Sequence, residues 1–224
     1  MRAVLVAPPP TLLVVAKQPL PGRVKTRLCP PCTPEQAAWL AEAALADTLA
    51  TLGQVPAGRR LLVLDGEPGP WLPPGWEVAP QATGGLDARL TAAFGHADPA
   101  APALLVGMDT PQLSARLLAE ALSPAARPGA DVWFGPAADG GFWALGLARP
   151  SAATAGRLLL GVPMSMSDTG RQVLCRAAGL TVRELPVLTD VDDWAAAREV
   201  AAERPDGGFA VAFRRIEAQV PVTG

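Results

Sequence analysis

Short apolar runs alternating with helical patterns constrain this chain most. LLVVA at Leu12–Ala16, LLVL at Leu61–Leu64 and ALLVG at Ala103–Gly107 contain no charged residue. A strand covered on one face alternates apolar with polar residues, whereas a strand covered on both faces is apolar throughout. These runs therefore belong inside a mostly parallel sheet with helices on both faces, reached through βαβ crossovers. The expected architecture is a three-layer α/β/α, Rossmann-like domain. With 224 residues, half of them apolar, the chain can bury such a core without disulfide or metal support. One domain over 1–224 accounts for the length.

Further strands are expected near Glu77–Ala79, Asp131–Phe134, Phe142–Leu147 and Val182–Leu185. Thr33 is placed to cap a helix with Pro34 at its first position and Gln36 reaching back, and Gly53 stops it. Helices are also expected over Leu86–Phe94, from Pro111 to about Leu122, over Ser167–Ala178 and over Trp194–Ala202. The segment FAVAFRRIEAQ suits a last helix or strand. MRAVLVAPPPTLLVVA is broken by three prolines and is too short for a signal-peptide core or a membrane span, so a cytoplasmic protein without membrane attachment is expected.

Scarce residues narrow the chemistry. The single histidine, His96, excludes a two- or three-His metal site within the chain, and its place beside a Gly/Ala/Pro-rich loop suits a surface residue at a helix end. Tyrosine is absent, which removes a Tyr acid or nucleophile. A net charge of −2 argues against a nucleic-acid partner. Three cysteines, Cys29, Cys32 and Cys175, form no disulfide framework and suit a reducing compartment. Cys29-Pro-Pro-Cys32 has C-x-x-C spacing ahead of a helix start, but no second pair completes a zinc site.

Of the basic residues 17 are Arg and two are Lys, and both lysines fall in KQPLPGRVKTR, directly after the first strand. Ligands of open α/β sheets bind at the carboxyl ends of the strands. Three more polar clusters stand at such ends: GMDTPQ, GPAADGG and TDVDD. If the first loop is extended, Arg23, Lys25 and Arg27 point one way as a comb of positive charge for a di- or triphosphate, with Gly22 allowing close backbone approach. Neither GxxxxGK[ST] nor GxGxxG is present. Asp109 ends an apolar strand and is free to bind a hard cation if Thr110 caps the helix from Pro111. Asp190 and Asp192 would share one side of an extended segment, while Asp193 caps the last helix. Asp65 reads as a turn residue before Gly66. Asp139 precedes Gly140-Gly141, whose backbone freedom suits a close substrate or a tight turn.

With these clusters in order, the sequence resembles the glycosyltransferase-A-like nucleotide-diphospho-sugar transferases. It is most similar there to the small bacterial glycosyltransferases associated with radical-SAM and selenodomain proteins. The stretches that carry the resemblance are AKQPLPGRVKTRL, TPEQAAWLAEAALADTL, GGLDARLTAAF, GMDTPQL, GPAADGGFWALGL and TDVDDWAAA, spanning Ala16 to Ala197. More distantly it is similar to the 2-phospho-lactate guanylyltransferases. The resemblance implies a Mg²⁺- or Mn²⁺-dependent transferase that moves a glycosyl group from a nucleotide sugar to a small-molecule acceptor. The alternative it implies is nucleotidyl transfer from an NTP with release of pyrophosphate. It assigns the metal to Asp109 and Asp192, and nucleotide phosphates to Lys17, Gly22, Arg23, Lys25, Thr26, Arg27 and Arg89. Gly140 and Gly141 would adjoin the substrate, and Asp139 is the candidate base of an inverting transfer. The chain departs from the family pattern at Asp193, where Thr is common, at Ala195 and Ala196, where acids are frequent, and at Met166. The Gly/Pro-rich loop at 66–75 is a candidate cover for the site or a homodimer contact.

Overall fold

The computed structural model describes residues 8–122 and 129–220; the first seven residues of the N-terminal apolar stretch lie outside it. The chain runs β1 (Thr11–Lys17), α1 (Pro34–Gly53), β2 (Arg59–Asp65), β3 (Glu77–Pro80), α2 (Leu86–Phe94) and β4 (Ala103–Val106). It continues through α3 (Ala115–Ala121), β5 (Val132–Pro136), β6 (Phe142–Leu147), α4 (Ala152–Leu159), α5 (Thr169–Arg176), β7 (Val182–Glu184), α6 (Trp194–Glu203) and α7 (Gly208–Glu217). No helix among the described residues is long and apolar enough to cross a membrane.

The strands form one sheet in the order β3-β2-β1-β4-β6-β5-β7, parallel except for β6. The fold is the mostly parallel, Rossmann-like α/β architecture expected. Along β1, Leu12 and Val14 join Leu45, Leu49 and Leu118 of α1 and α3 on one face. Leu13 joins Leu90, Phe94, Leu158 and Val173 of α2, α4 and α5 on the other. Burial on both faces explains the uninterrupted apolar runs.

A further layer lies outside this sandwich. The outer face of α1, with Ala37, Leu40 and Ala44, packs against Phe209, Phe213 and Ile216 of α7 and Val200 of α6. Leu28 and Val191 share that cluster, so the layer also anchors the first loop and the TDVDD segment. The loop at 66–75 folds on its own chain, with Trp71 and Leu72 against the core, and does not line the cleft described below.

α1 begins as expected: Thr33 Oγ1 accepts from Gln36 N and Thr33 N donates to Gln36 Oε1, a complete capping box. Asp193 caps α6 by accepting from Ala196 N, and His96 is exposed just past α2. Three expectations are corrected. The helix expected from Pro111 starts at Ala115, because a turn closed by Leu113 N on Thr110 O comes first and Ser114 is the cap. The helix expected over Ser167–Ala178 is Thr169–Arg176, and α4, which sequence reading passed over, precedes it. The first loop is not extended: Lys25 is left-handed at φ 49° and Thr26–Leu28 form a 3₁₀ turn.

Candidate active site

β1 turns outward to β2 and β3, whereas β4 lies on its other side, so strand order reverses between β1 and β4. A crevice at such a reversal is where open α/β sheets hold ligands. The backbone confirms that the carboxyl ends meet here. Lys17 is in register with Asp65, and Gly107 N donates to Trp143 O at 3.1 Å. The antiparallel β6 thereby brings the Asp139-Gly-Gly turn to the same edge. Ala137 pairs with Leu188, and Val191 N donates to Asp109 O at 2.9 Å, which draws the TDVDD segment across to β4.

The result is a cleft of about 740 Å³. Lys17, Arg23, Lys25, Thr26, Arg27, Arg89, Asp109, Asp139, Gly141 and Asp192 line it, together with Asp190 and Thr110. Gly22 and Gly140 do not. Gly140, at φ 89°, adopts its conformation for packing: a Cβ there would stand 1.9 Å from Ser167 O. Gly170 N donates to Gly140 O at 2.9 Å, which fixes the first turn of α5 onto the Asp139-Gly-Gly turn.

Because the first loop bends, its cations separate instead of forming a comb. Arg23 reaches Asp65 at 3.7 Å, Lys25 reaches Asp109 at 2.5 Å and Arg27 reaches Asp192 at 3.2 Å. Lys25 also donates to the Val191 carbonyl. Asp65 is therefore more than a turn residue, since Arg89 approaches it at 3.5 Å as well and donates to Gly84 O at 3.0 Å. Asp139 accepts from Gly141 N at 2.8 Å, which orients its carboxylate.

Asp190 is the acid that sequence reading set aside. Burial, and then the charges of Asp109 and Asp139, push its carboxyl up to about 7, against the opposing pull of Lys25. Its Oδ1 is buried without a hydrogen-bond partner among the described residues, as is the hydroxyl of Thr110, which caps no helix. The D-x-D spacing was the available signal for Asp190; nothing in the sequence marked the Thr110 hydroxyl.

No group of three His, Cys, Asp or Glu side chains among the described residues is gathered to hold a metal. Mg²⁺, however, is held by one or two carboxylates with substrate phosphates, not by an all-protein cage. The cleft offers that donor set, because Asp109 and Asp192 are partly exposed beside an unpartnered buried oxygen of Asp190. Burial pushes the Cys29 thiol up and the Cys32 thiol up to about 11, away from thiolate character.

A model of bacterial proteins described as uncharacterized and conserved in bacteria, DUF2064, matches residues 36–166. No curated protein matches the chain. Among solved structures, a "putative nucleotide-diphospho-sugar transferase" from Desulfovibrio desulfuricans G20 superposes with a TM-score of 0.79 at 23% identity, over 94% of this chain and 96% of that one. The manganese complex of Rv0371c from Mycobacterium tuberculosis H37Rv gives 0.52 at 22% identity, over 87% and 98%. A CMP:2-keto-3-deoxy-manno-octonic acid synthetase complexed with CTP gives 0.52 at 13% identity, over 87% and 97%. At these identities the likeness is one of fold.

Proposed function

We propose, for a chain that belongs to the DUF2064 family of uncharacterized bacterial proteins, that the cleft binds a nucleoside di- or triphosphate and catalyses group transfer from it. The leading reading is glycosyl transfer from a nucleotide sugar to a small-molecule acceptor. One observation carries it: three cations of the first loop and the acids Asp109, Asp190 and Asp192 face each other in the crevice between β1 and β4. That is a place for phosphate oxygens beside a place for a cation. The fold shared with the Desulfovibrio protein supports it. We read the described residues as one domain of a cytoplasmic protein, which its three free cysteines suit.

Asp109 and Asp192 would hold Mg²⁺ or Mn²⁺. When bound, the ion would offset the charge growing on the departing phosphates. Lys25, Arg27 and Lys17, which line the same cleft, would offset the same charge from the first loop. Arg23 and Arg89, both held by Asp65, form a cationic pair whose guanidinium groups are already oriented. Gly141 N fixes the Asp139 carboxylate, which can take a proton from an acceptor hydroxyl in an inverting transfer. Nucleotidyl transfer from an NTP is the second reading. The fold shared with a CTP-bound synthetase favours it, and so does a loop with enough cations for three phosphates.

Thermal shift separates these readings. UDP, GDP, UDP-sugars, GTP and CTP are each offered with Mn²⁺, Mg²⁺ or EDTA. A ligand at about 100 times its Kd adds ~2.7 kcal/mol, a rise of roughly 5–10 °C in Tm for a chain of this size. Asp109→Asn is expected to remove the metal-dependent part of the rise. If no nucleotide stabilises the protein in a metal-dependent way, or if the shift is unchanged in Asp109→Asn, the reading is defeated. Pyrophosphate release from an NTP selects nucleotidyl transfer.

A further inference from the structure

The Lys25 ammonium is the least exposed charge of the first loop: 7% of its side chain is accessible, against 39% for Asp109. It lies 2.5 Å from Asp109 Oδ1 and also donates to the Val191 carbonyl. Val191 is fully buried and its own N–H is bonded to Asp109 O. The ammonium thus joins the end of β4 to the TDVDD segment, the two pieces of chain that carry Asp109, Asp190 and Asp192. The other loop cation paired to one of these acids, Arg27, is exposed and sits on Asp192.

We propose that Lys25 is a tethered cation that holds, in the unliganded protein, the place on Asp109 that a divalent metal would take. Metal then binds with or after a phosphate-bearing substrate, not before it. The proposal rests on the nucleotide reading only for which phosphate draws Lys25 away. A divalent ion approaching Asp109 meets a like charge already in contact with the carboxylate. Phosphate oxygens offer that ammonium other acceptors, and a lysine stem is flexible enough to follow them. Once Lys25 moves, Asp109 is open beside the unpartnered oxygen of Asp190. Phosphate and metal are thereby coupled, and by linkage each strengthens the other's binding equally.

Lys17 is the control. It lines the same cleft and is exposed, but its ammonium makes no ion pair or hydrogen bond among the described residues.

The test is Mn²⁺ binding to the full chain without nucleotide, read by electron paramagnetic resonance of free Mn²⁺. Lys25→Met is expected to bind Mn²⁺ about tenfold tighter than the wild type, within the usual range of site-to-site coupling. Lys17→Met, which removes a cleft charge that makes no ion pair among the described residues, is expected to tighten Mn²⁺ binding less than Lys25→Met. Adding inorganic pyrophosphate tightens Mn²⁺ binding to the wild type more than to Lys25→Met. Equal affinity of the wild type and a folded Lys25→Met overturns the proposal, as does no Mn²⁺ binding by either. Absence of nucleotide binding would defeat the transferase reading and leave this comparison standing.

Lys25→Met uncovers several carboxylates, so a second measurement keeps the question open to refutation if the variant does not fold. With two lysines in the chain, ¹⁵N-lysine labelling gives two side-chain ammonium signals. The slowly exchanging one belongs to Lys25. It is expected to stay unchanged in millimolar Mg²⁺ and to shift when pyrophosphate is added with Mg²⁺. Displacement by Mg²⁺ alone overturns the proposal.

Discussion

Asp190 is a largely buried acid whose ionised form the fold disfavours. Its carboxyl is raised to about 7, far above its value in an unfolded chain, so its ionised form is disfavoured by folding. A raised acid costs nothing while protonated in both states. The cost enters as pH climbs past the unfolded value near 4 and is complete once pH exceeds the folded value near 7. In EDTA, Asp190→Asn is therefore expected to stabilise the protein at pH 8 and to gain much less at pH 5. With relaxation and water allowed for, a relief of ~1–2 kcal/mol raises Tm by roughly 3–6 °C. Calorimetry at the two pH values checks this, and a variant less stable at pH 8 refutes it. Proteins keep such repulsion where a ligand relieves it. The same variant is expected to lose metal-dependent nucleotide stabilisation.

Among the turns, two glycines with similar backbones have different reasons to be glycine. Gly22 has φ 73° and open space where a Cβ would stand, whereas Gly140 has φ 89° and the Ser167 carbonyl there. Gly22→Ala incurs only the left-handed backbone cost, about 1 kcal/mol. Gly140→Ala adds a backbone clash and is expected to cost more than about 2 kcal/mol and to loosen the segment before α5. Urea midpoints of the two variants measure the difference; equal losses would show that the turn and that segment are not locked together. The contrast also shows what was legible. Thr33-Pro-Glu-Gln announces α1 because a capping box is local chemistry, and LLVVA announces a strand because burial on two faces leaves no polar position. The bend at Lys25 is not local in this sense. A lysine in the left-handed region has no sequence signature, and its partners Asp109 and Val191 lie far along the chain. Arg23, Lys25 and Arg27 were recognisable as cleft residues, but their separation onto three acids was not. Thr110 misled for a similar reason: Thr before Pro looks like a cap, and only the turn onto Leu113 moves that duty to Ser114.

The molecule ties its cleft to the layer farthest from the sheet. Trp194 and Phe213 pack with ring centroids 4.6 Å apart, and the cluster they belong to also buries Leu28 and Val191. Leu28 follows Lys25 and Arg27; Val191 lies between Asp190 and Asp192. Arg204 closes this layer onto the body by donating to Thr51 Oγ1 at 2.9 Å and Pro111 O at 3.2 Å. The DUF2064 match, residues 36–166, includes Asp109 and Asp139 but neither the first loop nor the TDVDD segment. Those two pieces face the shared body from outside the match, and the α6–α7 layer sets their spacing. Phe213→Ala is expected to cost about 3–5 kcal/mol as a buried aromatic truncation. Leu118→Ala, fully buried in α3 on the sheet side, is expected to cost a comparable 2–5 kcal/mol or so. The two should part in binding. At a temperature where both remain folded, Phe213→Ala is expected to weaken nucleotide binding at least about fivefold, because the loop carrying Lys25 and the segment carrying Asp192 lose their common support. Leu118→Ala, whose cluster contains neither Leu28 nor Val191, is expected to change Kd less. Calorimetric titration with the best-stabilising nucleotide and Mn²⁺ decides it. Equal Kd values for the two variants would mean that the cleft is held by the sheet edge alone and that the outer layer contributes only stability.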